Sequence, residues 1–414
     1  MLKAKQVQRT LFVSDFSYTP YKKINHAAIL CENEKITAIG SFSAFKIDSE
    51  MDVYDLRGSY AVPGFIDTHI HGSGGFDSST ADEELEDFSL MTETLGRHGV
   101  TSFIPTIVSC PQAKLLSCTS AFVNIMNKKY NGAVPLGIRI EGPYINKLKK
   151  GSQNKDFIRE IDLGEARELI QAGQGIIKIM TFAPELKRST ELIELLLENN
   201  IIPSMGHTMA EEDTVIRAID AGATHCTHIY NGMPPFHHRS IGIAGVVLTD
   251  DRVAVEVILD GYHIHPRMID IVCRIKPKDK IIGISDAIQG AGLQDGKYHL
   301  AKIDIIVKNG RSSTYDGVIA GTTLTLERGW DHLVRYTKLG INEAAACLTS
   351  NPAKLLGEYE IGELRPGKYC DVTFFNTETN QADMTIRHGN IIYSSKRKTF
   401  KIENTNEFLL SNIQ

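Results

Sequence analysis

The chain is 414 residues long, more than one hydrophobic core usually spans, so either one large barrel or several domains must accommodate it. A net charge of -5, with no long run of Lys or Arg, excludes a broad nucleic-acid-binding face and means that any anionic ligand must be met locally. No window reaches the roughly 18 apolar residues of a membrane span, the opening MLKAKQVQRTLFVSDF lacks a signal-like apolar stretch, and the seven cysteines never stand as C-x-x-C. Reduced thiols in a cytoplasmic protein with no membrane or nucleic-acid partner are the expectation.

Stretches near the two ends, such as HAAILCENEKITAIG and YCDVTFFNTETN, alternate and turn as antiparallel strands do. They are expected to join as one small β-sandwich domain built from residues 1–58 and 358–414. Residues 59–357 follow a different rhythm, in which short runs rich in Val and Ile precede stretches of helical period. The strand candidates, in order, are AVPGFIDTHI, VTSFIPTIVS, PLGIRIEGP, GIIKIMTFAPE, NIIPSMGHT, ATHCTHIYNGM, VAVEVILDGYH and KIIGISDA. Eight strands apolar enough to be covered on both faces, without a Gly-rich dinucleotide fingerprint, predict an α/β fold of the (β/α)8 TIM-barrel type rather than an open doubly wound sheet. After the eighth strand, HLAKIDIIVKNGRSSTYDGVIAGTT predicts a β-hairpin with an Asn-Gly turn, and two closing helices follow.

Nearly every candidate strand ends in a His, Glu or Asp that its apolar body does not call for, and barrel active sites lie at those C-terminal ends. His69 and His71 close the first strand, Glu141 the third, His207 the fifth, His228 the sixth, His263 the seventh and Asp286 the eighth. The strand period puts His69 and His71 on one face, as chelation of one ion requires, although H-x-H by itself is weak evidence. With Glu141, His207 and His228 added, the mixed N and O donors suit a divalent Zn or Fe better than Mg or Ca. Asp286 follows an apolar strand, so it reads as a catalytic base, with a turn cap as the plainer alternative. His225 is left out of this set, and His98, His299, His332 and His388 read as packing or surface residues.

The segments AVPGFIDTHIHG, IEGPYIN with KKGSQN, MGHT, THIYNGM, HHRSIG, LDGYHIH, ISDA and AGTTLT stand in the order and spacing of the N-acetylglucosamine-6-phosphate deacetylase family, which the chain resembles along essentially its whole length. The resemblance implies that Glu141, His207 and His228 hold the principal metal and that Asp286 is the general acid/base. It implies that Asn231, Gly232 and His263 bind a phosphorylated amino sugar, with Arg239 delivered from the partner of a homodimer. It also places Gly142, Gln153, Ala320, Gly321 and Thr322 near the sugar and acetyl group. Retention of His69 and His71 makes a second ion plausible, so one or two ions are expected, two being favoured. Gln153 stands where single-metal members carry a His that polarises the acetyl carbonyl, and an amide cannot carry that charge. The nearest rival is deacetylation of the galacto epimer; a cyclic-amide or dipeptide hydrolase would call for a bridging Lys such as Lys178, and an inactive scaffold would be expected to have lost ligands.

Overall fold

The computed structural model describes residues 7–395 and residue 402. The chain divides into two compact units, one of Asp67–Thr94 and Ser102–Leu339, the other of the described residues up to Ile66, Leu95–Thr101 and those from Gly340 onward. The sequence boundaries of 59 and 357 therefore shift. Helices Ile341–Leu348 and Ser350–Leu356 continue the helical rhythm of the barrel without a break in composition, yet they belong to the unit of the terminal sheet.

Eight strands run in chain order around the barrel: β1 (Phe65–Ile70), β2 (Val100–Val108), β3 (Ile138–Glu141), β4 (Ile177–Phe182), β5 (Ile202–Met205), β6 (His225–Cys226), β7 (Ala254–Ile258) and β8 (Ile281–Ile284). Each pairs in parallel with the next from β2 to β8. Closure falls just beyond β8, where the Asp286 N–H donates to His69 O at 2.9 Å and the His71 N–H donates to Ala287 O at 2.8 Å. The eight predicted strands are all present. Only β6 is much shorter than its apolar run, because the left-handed backbone of His228 (φ 23°) and Tyr230 (φ 74°) cannot continue a strand.

Alternation sorts the strand residues. In β3, Ile138 and Ile140 pack outward while Arg139 and Glu141 point into the barrel; in β7, Val255 and Val257 flank an inward Glu256. Lys178 lies out of phase with the inward Thr181, and its stem packs where a side chain on Gly137 would sit, so it takes no part in the interior. Connecting helices are capped locally: Asp162 accepts from the Gly164 and Glu165 N–H groups, and Pro266 opens the helix Pro266–Ile275 behind a His265 cap.

The predicted hairpin is the second half of a three-stranded sheet, Gly296–Leu300, Ile303–Lys308 and Arg311–Thr314. Asn309 and Gly310 both have positive φ, as a type I′ turn requires. The preceding turn, at Ala301 and Lys302, also has positive φ at both positions but carries no Gly or Asn, which is why the first strand was not legible.

In the other unit, seven strands form one mixed sheet in the order Asn390–Ser394, Ala382–Arg387, Val372–Asn376, Met51–Pro63, Arg9–Tyr18, Lys23–Glu32 and Lys35–Ser41. The two chain ends meet where Val372–Asn376 runs antiparallel to Met51–Pro63. Neighbours such as Leu11 and Phe12 serve separate apolar clusters, so both faces of this sheet are buried. All seven cysteines are buried free thiols, and among the described residues no helix is long and apolar enough to cross a membrane.

Gly206, just before His207, ties packing to the site. A Cβ there would stand 2.6 Å from the Thr227 Cβ, too close for either wall to relax freely. Gly206→Ala should lower stability by about 1–3 kcal/mol in denaturant unfolding; an unchanged midpoint would show that the strand ends yield more than this packing allows.

Candidate active site

The polar strand ends converge in two buried groups, His69, His71 and Asp286 in one and Glu141, His207 and His228 in the other, each with ligand atoms within 4.8 Å of one another. His207 (φ 47°), His228 (φ 23°) and Asp286 (φ 50°) all adopt left-handed backbone. Non-glycine residues held there cost on the order of 1–3 kcal/mol each. The cost falls at the positions where each strand must stop and turn a side chain into the mouth.

Glu141 joins the groups. Its Oε1 lies 3.3 Å from His69 Nε2, 3.3 Å from His207 Nε2 and 3.0 Å from His228 Nε2, and its Oε2 lies 3.5 Å from His71 Nε2. Asp286 Oδ1 stands 3.0 Å from His71 Nε2 and 3.5 Å from His69 Nε2. The far side of three rings is engaged: Nδ1 of His69 donates to Glu256 Oε2 at 3.1 Å, that of His71 to Thr106 O at 3.3 Å, and that of His207 to Lys149 O at 2.7 Å. Every one of those contacts fixes the tautomer that leaves Nε2 free to ligate. The buried His69 Nε2 has no hydrogen-bond partner among the described residues.

Electrostatics follow from this crowding. Burial would raise the pKa of Glu141, but His69 and His207 hold it well below the ordinary value. Burial likewise works against ionised Asp286, and His69 and His71 overcome it, leaving the carboxyl at about 2. His69 is pressed down by burial and Arg139, yet Glu141, Asp286 and Glu256 lift it to about 9. Two anionic carboxylates thus sit among imidazoles whose free nitrogens face them, a donor set of N and O that fits a divalent ion of the Zn or Fe kind.

Above the groups opens a cavity of about 220 Å³ lined by His71, Glu141, Gln153, His207, His228, Asn231, Gly232, His263, Asp286 and Gly321. Val108, Leu300, Val318 and Ile319, ordinary apolar residues, complete the wall with Lys150, Gly151 and Ser152 of the KKGSQN segment, and none of these was singled out in the sequence as a site residue. His263 is held by Asp260, whose Oδ2 lies 2.7 Å from Nδ1 and whose charge raises the imidazole pKa against the opposing effect of burial. Gln153 is held at both ends: its Nε2 donates to Glu141 Oε2 at 3.1 Å, and its Oε1 accepts from the Ser109 N–H at 3.0 Å.

Five predicted residues lie off this wall, the first being His69, which is wholly buried in its ligand group. Gly142 is pressed against Ser109, and Ala320 is wholly buried in an apolar cluster. Thr322 braces the last strand, its N–H donating to Asp286 O and its hydroxyl to Ser285 O at 2.7 Å. Arg239 is exposed, its Nε donating to His238 Nε2 at 3.1 Å. Sequence reasoning passed over Arg139 and Glu256, both fully buried beneath the site. A signal existed, since each is a charged residue in the middle of an otherwise apolar strand.

Residues 60–405 match the model of the amidohydrolase family. The chain belongs to the amidohydrolase family. This family is metal-dependent, in keeping with the two buried groups of possible ligands. Within it, the chain is 35% identical over 391 residues to an N-acetylglucosamine-6-phosphate deacetylase of Bacillus subtilis, covering 90% of this chain and 97% of the relative. It is 33% identical over 311 residues to an N-acetylgalactosamine-6-phosphate deacetylase of Escherichia coli O157:H7, covering 75% and 82%. Among solved structures, an N-acetyl-D-glucosamine-6-phosphate deacetylase mutant from Mycobacterium smegmatis, in complex with N-acetyl-D-glucosamine-6-phosphate, superposes with a TM-score of 0.87 at 28% identity, covering 94% of this chain and all of that one.

An ion bound at 100 times its Kd adds about 2.7 kcal/mol to folding stability. Protein stripped by a chelator is therefore expected to melt several degrees below the same protein supplied with Zn2+ in a thermal unfolding scan; equal melting would argue that neither group binds a metal.

Proposed function

We propose that this amidohydrolase hydrolyses the acetamide of N-acetyl-D-glucosamine 6-phosphate to D-glucosamine 6-phosphate and acetate, a step of amino-sugar breakdown in the cytoplasm. One observation carries the reading: a single buried carboxylate, Glu141, lies within 3.5 Å of the Nε2 atoms of four imidazoles beneath a sugar-sized cavity. Glu141, His207 and His228 would hold the principal ion, and His69 and His71, with Glu141 shared and Asp286 within reach, would hold a second. The donors suit Zn or Fe. A bound divalent ion supplies the Lewis acidity that makes water nucleophilic near neutral pH and polarises an amide carbonyl.

The chain's own groups do the rest. Asp286, ionised and facing the cavity, takes the proton of the attacking water and returns it to the amide nitrogen as the C–N bond breaks. Asn231, Gly232 and His263 receive the sugar phosphate, the imidazole being biased toward its cationic form by Asp260. Arg239, exposed and off the cavity wall, serves the neighbouring subunit of a homodimer with a bidentate grip on phosphate. Gly321 lines the acetyl side, while Gly142, Ala320 and Thr322 support it from behind. Similarity to the galactosamine enzyme favours a second reading, the galacto epimer, differing at one hydroxyl.

Acetate release is expected from the gluco substrate in preference to the galacto one, and it should stop on chelation; the opposite preference would exchange the two readings. Asp286→Asn should keep fold and bound metal while losing about 10²–10⁴ in kcat, the scale of a lost general acid/base. Undiminished turnover would remove Asp286 from the chemistry. Mixing Arg239→Ala subunits with Asp286→Asn subunits should give more activity than either alone, and no gain would place Arg239 in its own subunit's site.

A further inference from the structure

Below the cavity, the barrel interior is filled by a closed polar cluster that never reaches solvent. Arg139 and Glu256, each 0% exposed, form an ion pair through Nη1 and Oε1. Arg139 Nη2 donates to Thr181 Oγ1 at 3.0 Å and to Thr227 Oγ1 at 2.8 Å. The other oxygen of Glu256 faces upward: Oε2 accepts from His69 Nδ1 at 3.1 Å and from the backbone N–H of His228 at 3.3 Å. A buried ion pair gives little net stability over well-packed apolar residues of the same volume, so packing alone does not account for this one. Its upper end suggests a reason, because its two contacts there are one member of each ligand group.

We infer that Glu256, held in place by Arg139, is a positioning residue for both metal groups: it fixes the ring and tautomer of His69 so that Nε2 faces the ion, and it pins the turned backbone from which His228 projects. The inference rests on the metal-centre reading of the proposed function. Thr106 O and Lys149 O orient His71 and His207 in a similar way, but those acceptors are neutral. Of the four imidazoles around Glu141, His69 is the one whose Nδ1 is backed by a full negative charge among the described residues, which also makes its Nε2 a stronger donor.

Removing Glu256 alone strands a buried guanidinium, so the test is the paired change Arg139→Met with Glu256→Leu, which replaces both charges by apolar groups. Thr227→Val is the control, since it takes a hydrogen bond from the same cluster and leaves the Glu256 contacts intact. Co2+ affinity by equilibrium dialysis and the cobalt visible absorption are the readouts. The paired variant should bind Co2+ about 10- to 100-fold more weakly, with an altered spectrum, while Thr227→Val binds as the unmodified protein does. Glu256→Gln, read in the same way, covers the case in which the paired variant does not fold. Affinity and spectrum unchanged in a folded variant would overturn the positioning role. An unmodified protein that binds no Co2+ at all would instead overturn the metal centre, and this inference with it.

Discussion

The structure depends on keeping a charged carboxylate, Glu141, out of water at the mouth of a barrel. Isolated, such a group would be protonated or would recruit solvent, because burial of an uncompensated charge costs far more than a fold of this size can spare. Four imidazoles and the amide of Gln153 surround it instead. Bringing them there requires strands that stop abruptly, and two of these residues, His207 and His228, accept left-handed backbone to do so. Close glycines follow from the same demand: a Cβ on Gly232 would stand 2.9 Å from His207 Nδ1. A protonated imidazole and a divalent ion are alternative ways of balancing the same carboxylate, so ion binding must displace protons from His69 and His207, which the surrounding carboxylates hold toward their cationic forms.

Gln153 takes on a different meaning once its contacts are known. From the sequence it stood as a weaker substitute for a carbonyl-polarising His. One amide N–H is committed to Glu141 and the amide oxygen to the Ser109 backbone, so the side chain orients that carboxylate and offers a substrate carbonyl at most one neutral N–H, which brings no positive charge. An ion held by the His69, His71 and Asp286 group would supply the charge that the amide lacks. The absence of a His at 153 and the presence of the H-x-H pair are therefore two aspects of one arrangement.

The eight strands and their polar ends were legible because each signal is local: an apolar run, then one residue that an apolar run does not predict. The inner polar layer was not, although Arg139 precedes Glu141 by two positions and so shares its face. A lone charge within a strand reads as an edge or a surface residue until the partner strand is known, and Glu256 lies 117 residues away. The cavity wall was half legible for a similar reason. Asn231, Gly232 and His263 sit in distinctive turns, whereas Leu300, Val318 and Ile319 are ordinary apolar residues that line the cavity only through the three-stranded insertion. Ala320 and Thr322 flank Gly321 in sequence, but they face away from the cavity that Gly321, on left-handed backbone (φ 52°), lines.

A barrel interior is ordinarily packed with branched apolar side chains, and this one gives much of that volume to Asp67, Thr106, Arg139, Thr181, Ser204, His225 and Glu256, each no more than 1% exposed. Their hydrogen bonds return little net stability, because the unfolded chain satisfies the same groups with water. Stability of the barrel unit must then come mainly from the outward faces of its strands, where Ile138, Ile140, Met180, Phe182, Val255 and Val257 are buried almost completely. That division lets the interior be organised for chemistry: changes outside alter how firmly the barrel holds, and changes inside alter what its mouth can bind. It also makes the interior intolerant, since a half-satisfied buried network is worse than none. Substitutions among those seven residues should therefore act in groups rather than singly, in contrast to independent effects on the outer face.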